Sequence, residues 1–584
     1  MMKRLLLLSF LLILFPGLVH LPEMGSAEST DKYTEPSQLL LPPDTVAGIV
    51  INEEHQPVPE AVVRLQATEN HTFTDEDGLF QLENVPLDEP ASITAWAEGF
   101  FINNAIATSE QPQITIEIHR FAQEDNPNYE WLTSGNLMGE GEDQGCAECH
   151  AVRDSDTPFP LPVDEWLQDA HSQSAINPRF LTSYNGTDVH GNQSPLTMFI
   201  PANPTRSNTG DYNYVALAPD PGQPYFGPGY RLDFPGSAGN CGNCHIPGAA
   251  AKPNMNFSAD VNLVEGVEKE GIFCDFCHKV WDVQLDPQTG LPAPDKPGVM
   301  SYTFRRPPEG HQFFAGPYDD VAPGEDTYSA IQKESAYCAP CHFGVFWDNP
   351  IYNSFGEWLD SPYSDPQSGQ TCQDCHMPPT GATLIARADV GAHQRAPETI
   401  FSHRMPGAMD ETLLQNAVSL DINASQQDGQ VQVQVQIMND NTGHHVPTDY
   451  PGRHLILLVQ VYDQNDDLLQ QVAGPVLPEW CGIGSPAEGY YAKQPGEAYA
   501  KLLQEDWTGY YPTVAYWNPN TVLQDNRISA FETASSEYTF DNQAAGQVHI
   551  EVRLFLRRSF INLMDWKDWN VPDILMEEAI INLE

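Results

Sequence analysis

The chain has 584 residues, 41% of them hydrophobic, and sets 80 Asp and Glu against 27 Lys and Arg for a formal net charge of −53. That length supports about two to four domains with separate cores. So large a negative excess excludes nucleic acid and anionic membrane surfaces as partners, and suits either steering of a basic protein partner or plain solubility.

The chain opens with Met1-Met2-Lys3-Arg4, an apolar run from Leu5 to Phe15 and the small-residue pattern Gly25-Ser26-Ala27. This reads as a signal peptide over 1–27 with cleavage after Ala27. The run is short for a bilayer span and is interrupted by Pro16-Gly17, so an uncleaved N-terminal anchor is the alternative. No later apolar stretch reaches spanning length, so no integral membrane segment is expected after cleavage. The expected location is outside the cytoplasm: periplasmic, extracellular or cell-surface.

Residues 45–120 contain no cysteine and predict a small β-sandwich. Val46 to Ile51 and Ala61 to Leu65 read as strands, Thr74 to Phe80 as a turn with the next strand, and Ile93 to Trp96 and Ile114 to Ile118 as further strands. The Gly48-Ile49-Val50 strand, the Thr74-Asp75-Glu76-Asp77-Gly78-Leu79-Phe80 turn and the closing Ala97-Glu98-Gly99-Phe100 resemble the carboxypeptidase regulatory-like, transthyretin-like domain. The resemblance implies a β-sandwich accessory module and specifies no activity. For the acidic Thr74 to Asp77 turn, a solvated turn is the simpler reading and calcium binding the other.

Residues 126–409 are rich in Pro, Gly and aromatics, poor in helical periodicity, and hold five copies of Cys-x-x-Cys-His. These are Cys146, Cys149 and His150; Cys241, Cys244 and His245; Cys274, Cys277 and His278; Cys338, Cys341 and His342; Cys372, Cys375 and His376. Two residues between thiols make one tight turn that presents both sulfurs to neighbouring haem vinyl groups, and the next residue offers its imidazole to the iron. The expected cofactor is five covalently bound haem c, and a mostly α and irregular fold dominated by haem follows. Zinc also uses paired cysteines, but gives no reason for histidine to follow the second cysteine five times. Disulfides fit this spacing less well. Attachment of c-type haem outside the bacterial cytoplasm agrees with export. Only Cys481 lies outside the motifs, and it reads as a buried small hydrophobe.

An internal repeat crosses this region. Glu165-Trp166-Leu167 follows His150, and Glu357-Trp358-Leu359 follows His342, each Trp 16 residues after its histidine. The segments differ mainly in His171 versus Tyr363. Cys241 and Cys274 are 33 positions apart, and Cys338 and Cys372 are 34, which suggests duplicated haem pairs.

Over 413–584 the motifs cease and apolar residues alternate with polar ones: Val431 to Ile437, Leu455 to Val461 and Val548 to Leu556, with a short element near Pro572 to Met576. Period-two patterning predicts a C-terminal antiparallel β-sandwich.

A haem iron with two imidazole ligands needs a distal histidine. The repeat favours His171; His403, in Ser402-His403-Arg404, and His444, in Gly443-His444-His445-Val446-Pro447-Thr448, come next. His190, His311 and His393 compete for the remaining irons, against a reading of each as a surface histidine. Spacing does not separate His444 from His445. His454 reads as structural, and His55, His71, His119 and His549 as surface residues.

From Cys146 to about Ile581 the chain resembles the multihaem cytochromes c related to hydroxylamine oxidoreductase and the tetrahaem cytochromes of nitrifying bacteria. The resemblance is carried by the Trp166 to His171 segment, Gly271-Ile272-Phe273-Cys274-Asp275-Phe276-Cys277-His278, the Glu357-Trp358 segment leading into Cys372 to Pro378, Ser402-His403-Arg404, and Gly443 to Thr448 followed by Arg453. It favours His403 and His444 as distal ligands and implies electron transfer through closely packed, mostly bis-histidine haems. Redox partner proteins are then expected, either other cytochromes or a membrane oxidoreductase complex.

A second function is an oxidoreductase acting on nitrite or hydroxylamine at one open haem. The chain also resembles cytochrome c nitrite reductases more distantly. Those enzymes usually have lysine in place of one motif histidine, whereas all five motifs here end in histidine. Hydroxylamine oxidation depends, in its family, on a tyrosine cross-linked to a catalytic haem and on more haems, which makes Tyr363 notable beside its reading as a packing residue. A third function is as subunit of an extracellular cytochrome filament or another homo-oligomer.

Overall fold

The computed structural model describes residues 44–584 apart from 136–144, 154–156, 204, 206–211, 256 and 544–545. The signal segment and its cleavage site lie outside the described residues.

The N-terminal domain is two facing sheets. One orders Leu79–Leu82, Val46–Ile51 and Gln113–Glu117; the other orders His71–Phe73, Val62–Leu65, Ala91–Trp96 and Asn103–Ala107. Val46, Val50, Phe80, Leu82, Ile114 and Ile116 from the first meet Val63, Ile93 and Ala95 from the second, all essentially buried. Val46–Ile51 pairs antiparallel with Leu79–Leu82 and parallel with Gln113–Glu117. Gly48 is required there, because a Cβ on it would fall 2.0 Å from the Ile114 carbonyl oxygen. The acidic turn is an Asx turn in which Asp75 accepts from the amides of Asp77 and Leu79. The strand Asn103–Ala107 escapes the sequence reading because its Asn-Asn start lacks β propensity.

This domain is docked against the chain near residue 320. Arg64 makes a two-pronged pair with Asp319 at 2.8 and 2.9 Å, and the Gln66 amide donates to the carbonyls of Asp320 and Ala322. Trp96 donates to Thr327 Oγ1 at 3.0 Å.

The middle region is built from short pieces. Its helices run from four to eight residues, the longest being Pro178–Asn185, and its strands are three or four residues long. Proline at the first helical turn, as at Pro162 and Pro178, starts helices that the Pro- and Gly-rich sequence soon ends. An aromatic cluster of Trp131, Trp166, Phe273, Phe276, Tyr302 and Phe304 lies beneath the motifs.

The C-terminal domain is an antiparallel sandwich. One sheet orders Ser419–Gln427, Gln430–Met438, Thr533–Asp541 and Gln471–Ala473; the other orders Asn520–Asp525, Gly496–Glu505, His454–Asp463, Val548–Arg557 and Ile574–Leu583. Val431, Val433, Val435 and Ile437 face inward while the intervening glutamines face water. Leu455 to Val459 is buried on both faces. One face joins the sandwich core, and the other meets Leu477, Cys481 and Ala498. Cys481 is thus a packed apolar side chain, with burial pushing its thiol pKa up to about 12. The short element near Pro572 is the start of a ten-residue strand, Ile574–Leu583.

Lys567 ends the helix Ile561–Lys567 and is fully buried, donating to the carbonyls of Thr182, Thr187 and Pro228 at 2.8–3.0 Å. Beside it, Trp569 donates to Thr182 Oγ1. These bonds tie the sandwich to the middle region. Lys567→Met is expected to destabilise the protein by about 3 kcal/mol, because three buried carbonyls lose their donor; a chemical denaturation midpoint close to wild type would show otherwise.

Candidate haem-attachment sites

Each motif folds as one helical turn. Cys146, Cys241 and Cys338 immediately precede the helices Ala147–His150, Gly242–His245 and Ala339–His342. Cys274–Cys277 and Cys372–His376 begin on their first cysteine, and the latter carries a Thr371/Asp374 capping box. None of the eleven cysteines is paired in a disulfide. Among the described residues, no three His, Cys, Asp or Glu side chains converge on one ion site.

The five motif histidines share one arrangement. Nδ1 of His150, His245, His278 and His376 meets the carbonyls of Ile385, Ser174, Ala315 and Pro406 at 2.6–3.1 Å. His342 Nδ1 meets Asp449 Oδ2 at 3.1 Å. Because a carbonyl only accepts, the proton sits on Nδ1 in the first four, leaving the Nε2 lone pair as the ligand atom. The donor set therefore fits haem c: two thiols and an imidazole held through Nδ1 at every motif.

Burial lowers the pKa of His245 and His376 to about 4, with neighbouring His444 adding to the effect on His376, so both rings are neutral at neutral pH. His342 differs. Burial opposes its charge, but the Asp449 carboxylate outweighs this and raises its pKa to about 9, while Asp449 is held well below the usual carboxylate range. Asp449 also accepts from the amides of Asn353 and Ser354, at the start of the helix Ser354–Leu359.

The motifs form one connected group. Cys146 lies against Cys274, Cys338 against Cys372, and Cys341 against Cys244. Tyr337 donates to the Cys277 carbonyl at 3.0 Å, and Tyr302 to the Tyr337 carbonyl at 2.8 Å, joining the third and fourth motifs. The repeat is real but pairs differently from the spacing expectation. Trp166 Nε1 donates to the carbonyl of Ile272, two residues before Cys274, and Trp358 Nε1 to that of Gln370, two before Cys372, each at 2.8 Å. The duplicated units are thus the first motif with the third and the fourth with the fifth. The second sits to the side against the fourth, so the 33-residue spacing from Cys241 to Cys274 is not the repeat.

Two non-motif histidines face motif histidines. His171 and His342 have ring centroids 6.3 Å apart, and so do His444 and His376, with planes 16° apart in the second pair. His171 Nδ1 is held by Asp169 at 2.6 Å, and His444 Nδ1 by the His445 carbonyl at 2.9 Å. His403 sits near His278 and His150, and its pKa is lowered to about 4 by burial and by His278. Its amide donates to Glu165 at 2.7 Å, just as the His445 amide donates to Glu357 at 3.2 Å. Each Glu-Trp unit therefore clasps the backbone of a histidine segment with its carboxylate and a motif segment with its indole.

The other candidates are at the surface. His190 is 63% exposed and pairs with Asp568, His311 is 60% exposed and pairs with Glu325, and His393 is exposed. His445 lies at 3.5 Å from Glu357, and His454 is buried in the sandwich against Phe560. Tyr363 packs edge-on against Phe531, and a Cβ on Gly443 would fall 2.9 Å from its ring, so it buttresses the His444 loop. Sequence reasoning missed Asp449 and the carboxylates Glu165 and Glu357. The two glutamates were within reach, since both stand in the repeated Glu-Trp-Leu.

Residues 45–119 match the Carboxypeptidase regulatory-like domain family. No curated protein matches the chain. Among solved structures, a penta-haem cytochrome c552 from Thermochromatium tepidum is similar at 17% identity and a TM-score of 0.47, covering 72% of this chain and 96% of that one. A family 123 glycoside hydrolase from Clostridium perfringens aligns over 26% of this chain and 21% of its own at 8% identity and a TM-score of 0.10. Among the described residues, no helix is long and apolar enough to cross a membrane.

Proposed function

We propose that the chain is an exported pentahaem c-type cytochrome of the multihaem group related to hydroxylamine oxidoreductase, and that it carries electrons between redox partner proteins. One observation carries this reading: five Cys-x-x-Cys-His turns lie in one group, joined by three thiol contacts and by Tyr337 and Tyr302, each with its imidazole fixed through Nδ1. The cysteine pairs would hold the haems, and His150, His245, His278, His342 and His376 would ligate their irons. Haem supplies one-electron chemistry when bound. The contacts between motifs support a run of sites as first, third, fourth and fifth, with the second branching from the fourth.

His171 would serve the iron of His342 and His444 that of His376. The repeat assigns His403 to His278, because Glu165 holds its segment as Glu357 holds that of His444. Asp449 would strengthen its histidine as a donor. Asp449→Asn is accordingly expected to raise the midpoint potential of one haem by about 60 mV, a tenfold change in a one-electron equilibrium; five unmoved potentials in a redox titration would contradict this.

One observation favours the second reading, an oxidoreductase acting on nitrite or hydroxylamine. His245 has no facing imidazole among the described residues and His150 has only His403, which it shares with His278, while His190, His311 and His393 lie at the surface. Paramagnetic resonance combined with turnover assays separates the two readings. A carrier exchanges electrons with small cytochromes and turns over neither compound. Turnover coupled to a high-spin signal would replace the carrier with the enzyme.

A further inference from the structure

Beside the second motif stands a group of arginines that form no ion pair among the described residues. Arg179 precedes Phe180, whose ring stacks on His245 at 3.6 Å with planes 2° apart. Arg453 and Arg558 are its electrostatic neighbours, and Tyr450 lies with them. Tyr450 in turn neighbours Tyr352 and Tyr516, a hydrogen-bonded pair close to Cys241. Three half-buried guanidinium groups thus gather beside one candidate haem site in a chain of net charge −53.

Their charge is only partly answered by the protein, through Asp449 beside Arg453. None of the three forms an ion pair among the described residues, although ten other arginines do. Arg453 donates to the Thr448 carbonyl at 3.2 Å, and Arg179 reaches only Met409 Sδ at 3.9 Å. Asp449 feels Arg453, but its oxygens are taken by His342, Asn353 and Ser354. Arg558 Nε is buried without a hydrogen-bond partner, and the hydroxyls of Tyr450 and Ser559 lie against each other beside it. Burial and its two arginine neighbours lower the Arg558 pKa to about 10. Unpaired buried donors and clustered like charges are each costly, and one anion relieves both.

We propose that Arg179, Arg453 and Arg558, with the hydroxyls of Tyr450 and Ser559, form a clamp for a carboxylate or small oxyanion. The occupant is a propionate of the haem borne by Cys241 and Cys244, or a free oxyanion brought beside that haem. Guanidinium forks match either, since both present two or more oxygens in a plane or tripod. The inference rests on the haem reading, and haem counting by intact mass is done first, so that loss of that reading is recognised separately.

The test uses the matured protein. Sulfate is titrated by calorimetry at low ionic strength, and the potentials of all haems are measured in wild type, Arg453→Gln and Arg558→Gln. A free-oxyanion site gives one saturable sulfate per chain, weakened at least tenfold by Arg558→Gln. A propionate site gives no sulfate uptake, but each Gln variant lowers the midpoint of one haem, because loss of the cation favours the ferric state, while Arg558→Lys retains it. Either response supports the clamp. If the Gln variants fail to mature, Arg558→Lys and Tyr450→Phe are read the same way for sulfate affinity and potential. Variants with full haem content, wild-type potentials and wild-type sulfate behaviour would overturn it.

Discussion

In the matured protein, His444→Ala is expected to convert about one iron in five from low-spin to high-spin while every haem remains attached. The His444 and His376 rings lie 6.3 Å apart and 16° from parallel, so the two face each other as axial partners would. His444 Nδ1 is held by the next residue's carbonyl, leaving the Nε2 lone pair as the ligand atom. The adjacent His445 is held through its backbone amide by Glu357. Attachment is unaffected because Cys372, Cys375 and His376 are untouched. His171→Ala is expected to act in the same way on the iron of His342, with which it shares the same 6.3 Å separation. His190→Ala and His311→Ala are the controls and should leave the spectrum unchanged, as both rings face water and an acid. A wholly low-spin His444→Ala protein would remove His444 from the ligand set.

Glu357→Gln is expected to destabilise the fold by about 3–5 kcal/mol, the usual loss when one partner of a buried ion pair is removed. Glu357 is 2% exposed and pairs with Arg527 at 2.8 Å, itself 5% exposed. The same carboxylate accepts from the His445 amide and from Thr448 Oγ1 at 2.5 Å. The substitution leaves Arg527 with Asp525 alone and loosens the loop behind His444. A lower denaturation midpoint and a partial high-spin signal should therefore appear together. Glu165→Gln should cost less, about 1–2 kcal/mol, because Glu165 accepts the His403 amide but has no buried ion pair. Equal losses in the two variants would refute this account of the Glu357–Arg527 contact.

The motifs and both sandwiches were legible because their signals are local. Two residues between cysteines define one turn, and Val431 to Ile437 alternates as a strand with one wet face must. Strand Ser419–Gln427 was missed because only Leu420, Ile422 and Ala424 carry its apolar alternation before Ser425-Gln426-Gln427 end it, and Gly496–Glu505 because Ala, Lys and Glu weaken its β signature. The pairing of motifs was misjudged because spacing says nothing about which segment an indole clasps. Trp166 and Trp358 decide that through the carbonyls of Ile272 and Gln370, more than 100 residues away in one case and 12 in the other. Asp449 and the three arginines come from distant segments and meet only in the fold.

Intact-mass spectrometry of protein matured in a host with c-type haem assembly, followed by peptide mapping, tests the central claim most directly. The expected result is five covalent haems, one on each pair Cys146/Cys149, Cys241/Cys244, Cys274/Cys277, Cys338/Cys341 and Cys372/Cys375, with Cys481 unmodified. Fewer than five on fully matured protein, or zinc bound at those thiols in their place, would contradict it.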